Sequence, residues 1–447
     1  MNRLYTLICR IVIAVAALIA GVSPSLAEPL SSEGTEFWLA FTPNIATANE
    51  ESLSLVISSK EGASVTVTAN PGKKSTDGVF TQSLTLAPNE LKVVYFPKTL
   101  ALDWNHGHLV DKNSVHVVAS APITVYGRNV FSASTDGYLG LPKQTLGQEY
   151  YLITYKQLGN WPPYAKVVAT EDDTEVTFTP VNGGRTADGV AINKGDSRTL
   201  TLQQGETALF YANGEKESDI SGSRIFSRKP VAVIAGQDCA NIPVAVYYCD
   251  HLDEMMPPVT ALGYSFIVVP TKRGIVGDYV RVVAIADGTA VYLDGQLAAT
   301  LSKSEVYEFL VDSPHELKIN RPALVAQFMR GSTVGGFGDP SEMLLVPSSQ
   351  FLKSYHLATF QEPTSSSKRF FYNYLNVVIP SGAVSTFRID GALVDQAASS
   401  RFQEPISVGR RSQSNWAGIR LRQRCHLECT RTALGTMNRM RCQAGWP

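Results

Sequence analysis

One phrase is written more than once in this chain. Gly34-Thr35-Glu36-Phe37-Trp38-Leu39 returns as Gly147-Gln148-Glu149-Tyr150-Tyr151-Leu152 and, more loosely, as Gly263-Tyr264-Ser265-Phe266-Ile267-Val268. The starts lie 113 and 116 residues apart, and Ser354-Tyr355-His356-Leu357 is a weaker fourth copy. A second phrase keeps register with the first: Ala121-Pro122-Ile123-Thr124-Val125-Tyr126-Gly127, Lys229-Pro230-Val231-Ala232-Val233-Ile234 and Arg321-Pro322-Ala323-Leu324-Val325-Ala326. Each is followed by an acidic residue, an apolar-Pro step (Leu141-Pro142, Met256-Pro257, Val346-Pro347) and then the next aromatic phrase. Proline has no N–H for a sheet ladder and is confined to strand starts and edges. The step therefore predicts the start of a repeated strand, and the whole pattern predicts an array of like units.

Those units read as β-sheet. Ser64-Val65-Thr66-Val67-Thr68, Ser83-Leu84-Thr85-Leu86, Glu175-Val176-Thr177-Phe178 and Arg198-Thr199-Leu200-Thr201-Leu202 alternate apolar with polar residues, which places one apolar face on each strand. Turn signals separate them: Asn70-Pro71-Gly72, Pro88-Asn89, Asn182-Gly183-Gly184, Asn213-Gly214 and Asp294-Gly295. A unit of 90–115 residues with about seven short strands suits a β-sandwich; a propeller blade needs only ~40–50 residues. The fold class expected is all-β, with tandem sandwich-like repeats at 28–146, 147–262 and 263–351 and an incomplete fourth at 352–406. A propeller-like ring of larger β units is the alternative. Phe37-Trp38 and Tyr150-Tyr151, recurring at unit spacing, are expected in the cores. A chain that is 44% hydrophobic and 18% charged buries enough apolar surface to offset its ordering entropy, which excludes disorder.

The two ends differ from the body. Arg3 and Arg10, the apolar run Ile11–Ala20 and Ser25-Leu26-Ala27 form the three parts of a secretory signal over 1–27, with cleavage before Glu28. The expected destination is secretion, the cell surface or a periplasm, with no membrane span left after cleavage. There is no Asn-x-Ser/Thr sequon, which fits bacterial export. Residues 407–447 carry eight Arg, no Lys and one acid, Glu428, and crowd in Cys425, Cys429 and Cys442. Alternation stops there, and the Pro-apolar phrase of the other units is missing. A basic irregular tail is expected, consistent with a shifted reading frame. The net charge of −1 is a sum of unlike parts: +2 over 1–27, +7 over the tail and −10 over 28–406. An acidic body is a poor nucleic-acid binder.

The repeated words also carry a resemblance. Gly34-Thr35-Glu36-Phe37-Trp38, Thr135-Asp136-Gly137-Tyr138-Leu139-Gly140-Leu141-Pro142, and Cys239-Ala240-Asn241-Ile242-Pro243 with Cys249-Asp250-His251-Leu252-Asp253-Glu254 and Pro257-Pro258 stand out. They run on into Gly277-Asp278-Tyr279-Val280-Arg281-Val282-Val283-Ala284. Together they resemble the IgGFc-binding protein N-terminal domain family, as an exported bacterial-type member, over roughly residues 33–400. The resemblance implies a non-enzymatic binding or adhesion module whose partner is an extracellular protein or glycan, with immunoglobulin Fc or mucin among them. A structural surface or matrix protein is the alternative, and a secreted hydrolase a distant third.

Few residues invite chemistry. Cys239 and Cys249 enclose nine residues, and in an oxidising compartment a close pair is most simply a disulfide. A metal site from Cys249, His251, Asp253 and Glu254 is the competing reading, but oxidised thiols do not ligate zinc. Asp250, Asp253 and Glu254 are then expected as loop charges. His106-Gly107-His108 lacks a third ligand and reads as a polar loop, and no cofactor is implied. There is no Gly-x-Ser-x-Gly elbow and no His-Glu-x-x-His, and the glycine-rich stretch from Gly331 to Gly338 reads as a long loop. The candidate ligand-binding residues are the loop aromatics Trp104, Trp161, Tyr164, Tyr247 and Tyr248, because exposed aromatic anchors dominate many binding surfaces.

Overall fold

The computed structural model describes residues 31–45, 52–70, 78–96, 109–131, 134–271, 277–334, 338–357, 370–389, 391–393, 407–410, 416–423, 429–430 and 436–444. The signal segment 1–27 lies outside them. Among the described residues, regular structure is strand and short 3-10 turns, as the alternation leads one to expect. The tandem sandwich-like β units are present.

The first unit holds β1 (Gly34–Ala40), β2 (Ser52–Ser59), β3 (Ala63–Ala69), β4 (Phe80–Leu86), β5 (Glu90–Phe96), β6 (Ser114–Phe131) and β7 (Ser134–Leu139). The long strand β6 is its spine. The first half of β6 pairs with β1 and β3, and β4 lies outside β3. The second half pairs with β2 and β7, and β5 lies outside β2. Pro122 falls between the halves, where its missing N–H costs no ladder bond. One strand thus crosses from sheet to sheet, and Phe37, Leu55, Ile57, Val67, Val117 and Val125 from both sheets share one core.

The second unit repeats this plan with β8 (Gly147–Tyr151), β9 (Pro163–Ala169), β10 (Thr174–Thr179), β11 (Gly184–Thr186), β12 (Ala191–Ile192), β13 (Arg198–Leu202), β14 (Thr207–Ala212), β15 (Arg224–Ala240) and β16 (Asp250–Met255). Its spine is β15, and the β11–β12 hairpin is an addition beside β14. The third holds β17 (Gly263–Val268), β18 (Asp278–Ala284), β19 (Thr289–Leu293), β20 (Gln296–Leu301), β21 (Val306–Val311), β22 (His315–Met329) and β23 (Ser341–Leu344), around the spine β22. Asp294 and Gly295 both take positive φ between β19 and β20, the two-residue turn whose twist matches a hairpin. Beyond these come β24 (His356–Leu357), β25 (Phe370–Pro380), β26 (Arg388–Ile389), β27 (Ala392–Leu393), β28 (Ser407–Arg410), β29 (Trp416–Gln423), β30 (Cys429–Thr430) and β31 (Thr436–Ala444). The backbone of β28, β29 and β31 joins β25 in a four-stranded sheet, where the sequence led us to expect an irregular tail.

The apolar-Pro step does not open a strand. Pro142, Pro258 and Pro347 each precede a single 3-10 turn, at Lys143–Thr145, Val259–Ala261 and Ser348–Gln350. In the second step it is Pro258, not Pro257, that does so. Each of these prolines also lies against the glycine that opens its own unit. A Cβ on Gly34, Gly147 or Gly263 would sit 2.3, 2.5 or 2.2 Å from the Cβ of Pro142, Pro258 or Pro347. The recurring glycine is thus required by close approach, which ties the first strand of a unit to its exit. Gly147→Ala should cost about 1–3 kcal/mol through overpacking, read as a lower urea midpoint. Gly382→Ala, where a Cβ meets nothing within 4 Å, is the neutral control. An unchanged midpoint for Gly147→Ala would show that the turn yields freely.

Neighbouring units share apolar surface. Val168, Ala232, Ile234 and Met255 lie on the outer side of the second unit yet belong to the core of the first. Val283, Leu324, Ala326 and Leu344 of the third unit pack into the core of the second. The two sets occupy matching positions on matching strands. A cation is set among each: Lys166 Nζ donates to the Phe41 carbonyl at 2.9 Å, and Arg281 Nη1 donates to the Thr154 carbonyl. Lys166 and Arg281 are the fourth residues of β9 and β18, and Phe41 and Thr154 both stand seven residues after their unit's opening glycine. In β25, Asn376 takes the equivalent place and donates to the Val269 carbonyl at 3.3 Å.

Candidate functional site

Two loops at one end of the second unit carry the exposed aromatic side chains Trp161, Tyr247 and Tyr248. The first leads into β9. Gly159 turns it with a φ of +52°, Trp161 N–H donates to the Leu158 carbonyl at 2.9 Å, and the Trp161 side chain is 38% exposed. The second joins β15 to β16 and is closed by a Cys239–Cys249 disulfide with Cα atoms 5.2 Å apart. Just before Cys249, Tyr247 and Tyr248 are 75% and 67% exposed, and Tyr248 takes a left-handed φ of +69°. Exposed rings on loops are candidate contact anchors, since aromatic residues are enriched among binding hot spots.

Both loops are held from below by one buried amide. Gln237 Nε2 donates to the carbonyls of Trp161 at 2.9 Å, Cys239 at 3.1 Å and Lys156 at 3.3 Å. The third unit supports the disulfide loop as well, because Gly331 N–H donates to the Ile242 carbonyl at 2.8 Å. A Cβ on Gly331 would come within 2.8 Å of the Val246 side chain and 3.1 Å of the Tyr247 carbonyl, so the loop packs closely there. Ser332–Val334 form a 3-10 turn, and 335–337 lie outside the described residues. The loop aromatics therefore rest on a fixed base. Such a base lowers the ordering cost of binding, and flat rings with polar edges suit sugar faces or protein side chains.

Of the sequence candidates, Trp161, Tyr247 and Tyr248 are exposed on these two loops. Trp104 lies outside the described residues, as do His106 and His108. Tyr164 is a correction. Its side chain is fully buried between the first two units, where its hydroxyl donates to the Pro43 carbonyl at 2.9 Å and to Thr42 Oγ1 at 3.0 Å. Pro162-Pro163 misled the reading, since Pro163 already opens β9 and Tyr164 follows on its outer face. The phenol is pushed well above its usual range by burial, and then by the Asp253 and Asp238 charges.

Asp250, Asp253 and Glu254 are a second correction, for they are strand residues of β16 and not loop charges. Asp253 is fully buried beside His251, whose Nε2 stands 3.7 Å from Asp253 Oδ2, 3.4 Å from Thr42 Oγ1 and 3.3 Å from Asn129 Nδ2. Burial pushes the imidazole pKa down, but the nearby Asp253 carboxylate outweighs that and raises it. Burial lifts Asp238 to about 6 and Asp250 well above the usual carboxylate range, the Asp339 and Asp136 charges adding to the latter. Asp250 Oδ1 accepts from Thr135 N–H at 2.7 Å, and Asp136 Oδ2 accepts from Asp253 N–H at 3.2 Å. These polar residues stitch β16 to β7. Among the described residues no group of three or more His, Cys, Asp or Glu has metal-holding geometry.

The matching joint between the second and third units was also hidden in the sequence. Arg281 pairs with Asp219 at 2.7 Å and Glu308 at 3.0 Å, donates to Ser221 Oγ at 3.0 Å, and lies over the Tyr155 and Phe328 rings. The available signal was a lone cation in the apolar runs Ala165-Lys166-Val167-Val168 and Val280-Arg281-Val282-Val283. A buried charge of that kind demands a partner.

Comparison with known proteins adds the family context. A family model described as IgGFc binding protein matches residues 136–439. A human protein named IgGFc-binding protein is 27% identical over 304 residues, covering 66% of this chain and 5% of that protein. The chain therefore spans about one-twentieth of the length of that relative. The family match takes in the Trp161 loop, the disulfide loop and the Arg281 joint.

Proposed function

The chain belongs to the IgGFc binding protein family, and from that premise we propose that it is an exported, non-enzymatic binding or adhesion module for an extracellular protein or glycan. The observation that carries this reading is the pair of supported loops presenting Trp161, Tyr247 and Tyr248 to solvent. Aromatic anchors on a fixed base contribute a large share of binding free energy. Immunoglobulin Fc is the first ligand to test, on the name of the human relative alone, and mucin glycans are the second.

Saturable binding of the full chain to immobilised Fc or mucin glycan is expected. Trp161→Ala and the double change Tyr247→Ala/Tyr248→Ala should each weaken it at least about tenfold, as hot-spot aromatics do, with an unchanged urea midpoint. Binding that survives both changes would move the contact surface elsewhere. Concentration-dependent self-association without saturable binding would favour a structural matrix role instead.

A further inference from the structure

We infer that the four β units close into a ring, in which the first strand of the fourth unit, β24, seats on the outer sheet face of the first unit. The argument begins with β2. Leu53, Leu55 and Ile57 face the core of the first unit, so Ser54, Val56 and Ser58 face outward. Yet Ser54, Val56 and Ser58 are all buried, Val56 to 1% exposure. Alternation turns successive side chains to opposite faces, so a strand buried on both faces needs a layer of protein on each side. The same holds for β9 and β18, and in both cases the outer layer is the preceding unit.

Position by position, the outer face of the first unit is built like theirs. Tyr126 stands where Ile234 and Ala326 stand, and Leu139 where Met255 and Leu344 stand. With Val56, Leu91 and Val93 they form a separate apolar cluster. Of the described elements in later units, β24, some 300 residues further on, packs against β2. β24 falls within the fourth copy of the aromatic phrase, whose first copy, β1, packs against β9 and β15 of the next unit. His356, half-buried in β24, feels the charges of Glu33 and Lys60 of the first unit.

The inner strands agree with closure. Asp250 and Asp253 of β16 bond to Thr135 and Asp136 of β7, Leu344 N–H of β23 donates to Glu254 of β16 at 3.3 Å, and β31 packs against β23. One strand from each unit therefore follows the next, β7, β16, β23 and β31, which is the order a ring requires.

Val56→Asp in the full chain tests this. Closure predicts that a charge on β2 raises amide hydrogen exchange at least about tenfold in His356–Leu357 and in 375–379, far away in sequence. Thr66→Asp, at an exposed position of β3, should leave those segments unchanged. Exchange that rises only in 52–59, 90–96 and 124–131 would overturn the ring. If Val56→Asp fails to fold, small-angle scattering of the unaltered chain decides. A radius of gyration near about 22 Å, expected for one compact body of this size, supports closure. A markedly larger, elongated particle overturns it.

Discussion

Replacing Arg281 with alanine should cost the fold about 3–5 kcal/mol, the loss expected when one partner of a buried ionic network is removed. The Arg281 side chain is only 5% exposed and faces two carboxylates, Asp219 at 2.7 Å and Glu308 at 3.0 Å. It also donates to the Thr154 carbonyl and to Ser221 Oγ, while its plane rests near the Tyr155 and Phe328 rings. Alanine removes the charge and leaves both acids facing a joint built to neutralise them. Arg281→Lys should recover only part of the loss, because an ammonium is a point charge that cannot fork between two acids. A triple change, Arg281→Met with Asp219→Asn and Glu308→Gln, should recover most of it, since an uncharged joint of similar volume carries no unpaired ion.

The same network sets a pH dependence. Burial alone pushes the Asp219 carboxyl up, but the Arg281 charge and the Ser221 hydrogen bonds outweigh it and hold Asp219 below its usual value. A carboxyl with a depressed folded pKa stabilises the fold above its unfolded pKa, and that contribution is lost as pH falls through the folded value. The original chain should therefore lose stability on acidification below about pH 4, near the usual Asp value. Arg281→Ala should lose less over the same range, so the gap between the two midpoints narrows in acid. Urea midpoints at pH 7 and at pH 3.5 measure it, and a constant gap would show that Asp219 does not depend on Arg281.

How much of this was legible depends on which face a strand presents. The alternating runs Ser64–Thr68, Glu175–Phe178 and Arg198–Leu202 lie in β3, β10 and β13, because one side of each meets water. β2, β9 and β18 are buried on both sides, and period two vanishes from Ser54-Leu55-Val56-Ile57 and Ala165-Lys166-Val167-Val168. Their role in joining units was therefore invisible in composition and alternation. The repeated phrases recorded the unit plan, but the bend at Pro122 within β6 appears only once both sheets are seen. For the loops, the turn residues around Trp161 led us to expect an exposed ring, and its side chain is exposed. The same reading failed at Tyr164 for want of one fact, that the strand had already begun at Pro163. The acids after Cys249 read as solvated because nothing local reveals an opposing unit.

The second large effect belongs to the disulfide. Cys239→Ala with Cys249→Ala should lower stability by about 2–4 kcal/mol, the usual cost of releasing a closed loop to the unfolded ensemble. Alanine is the right replacement because Cys239 is buried, and a serine hydroxyl there would add its own desolvation cost. Some local order should survive, for Gly331 N–H still holds the Ile242 carbonyl and Asn241 Nδ2 still donates to the Val244 carbonyl at 3.2 Å. Those bonds anchor the start of the loop, while Tyr247 and Tyr248 sit at its far end, next to Cys249. Freed there, the two rings should sample many orientations, and any ligand that uses them must then order them on binding. Affinity should accordingly fall even under conditions where nearly all of the variant is folded, and exchange should rise across 244–249. Reducing the unaltered chain should reproduce both changes. A loss of stability with affinity intact would separate the bridge from the contact surface and place recognition on the Trp161 loop alone.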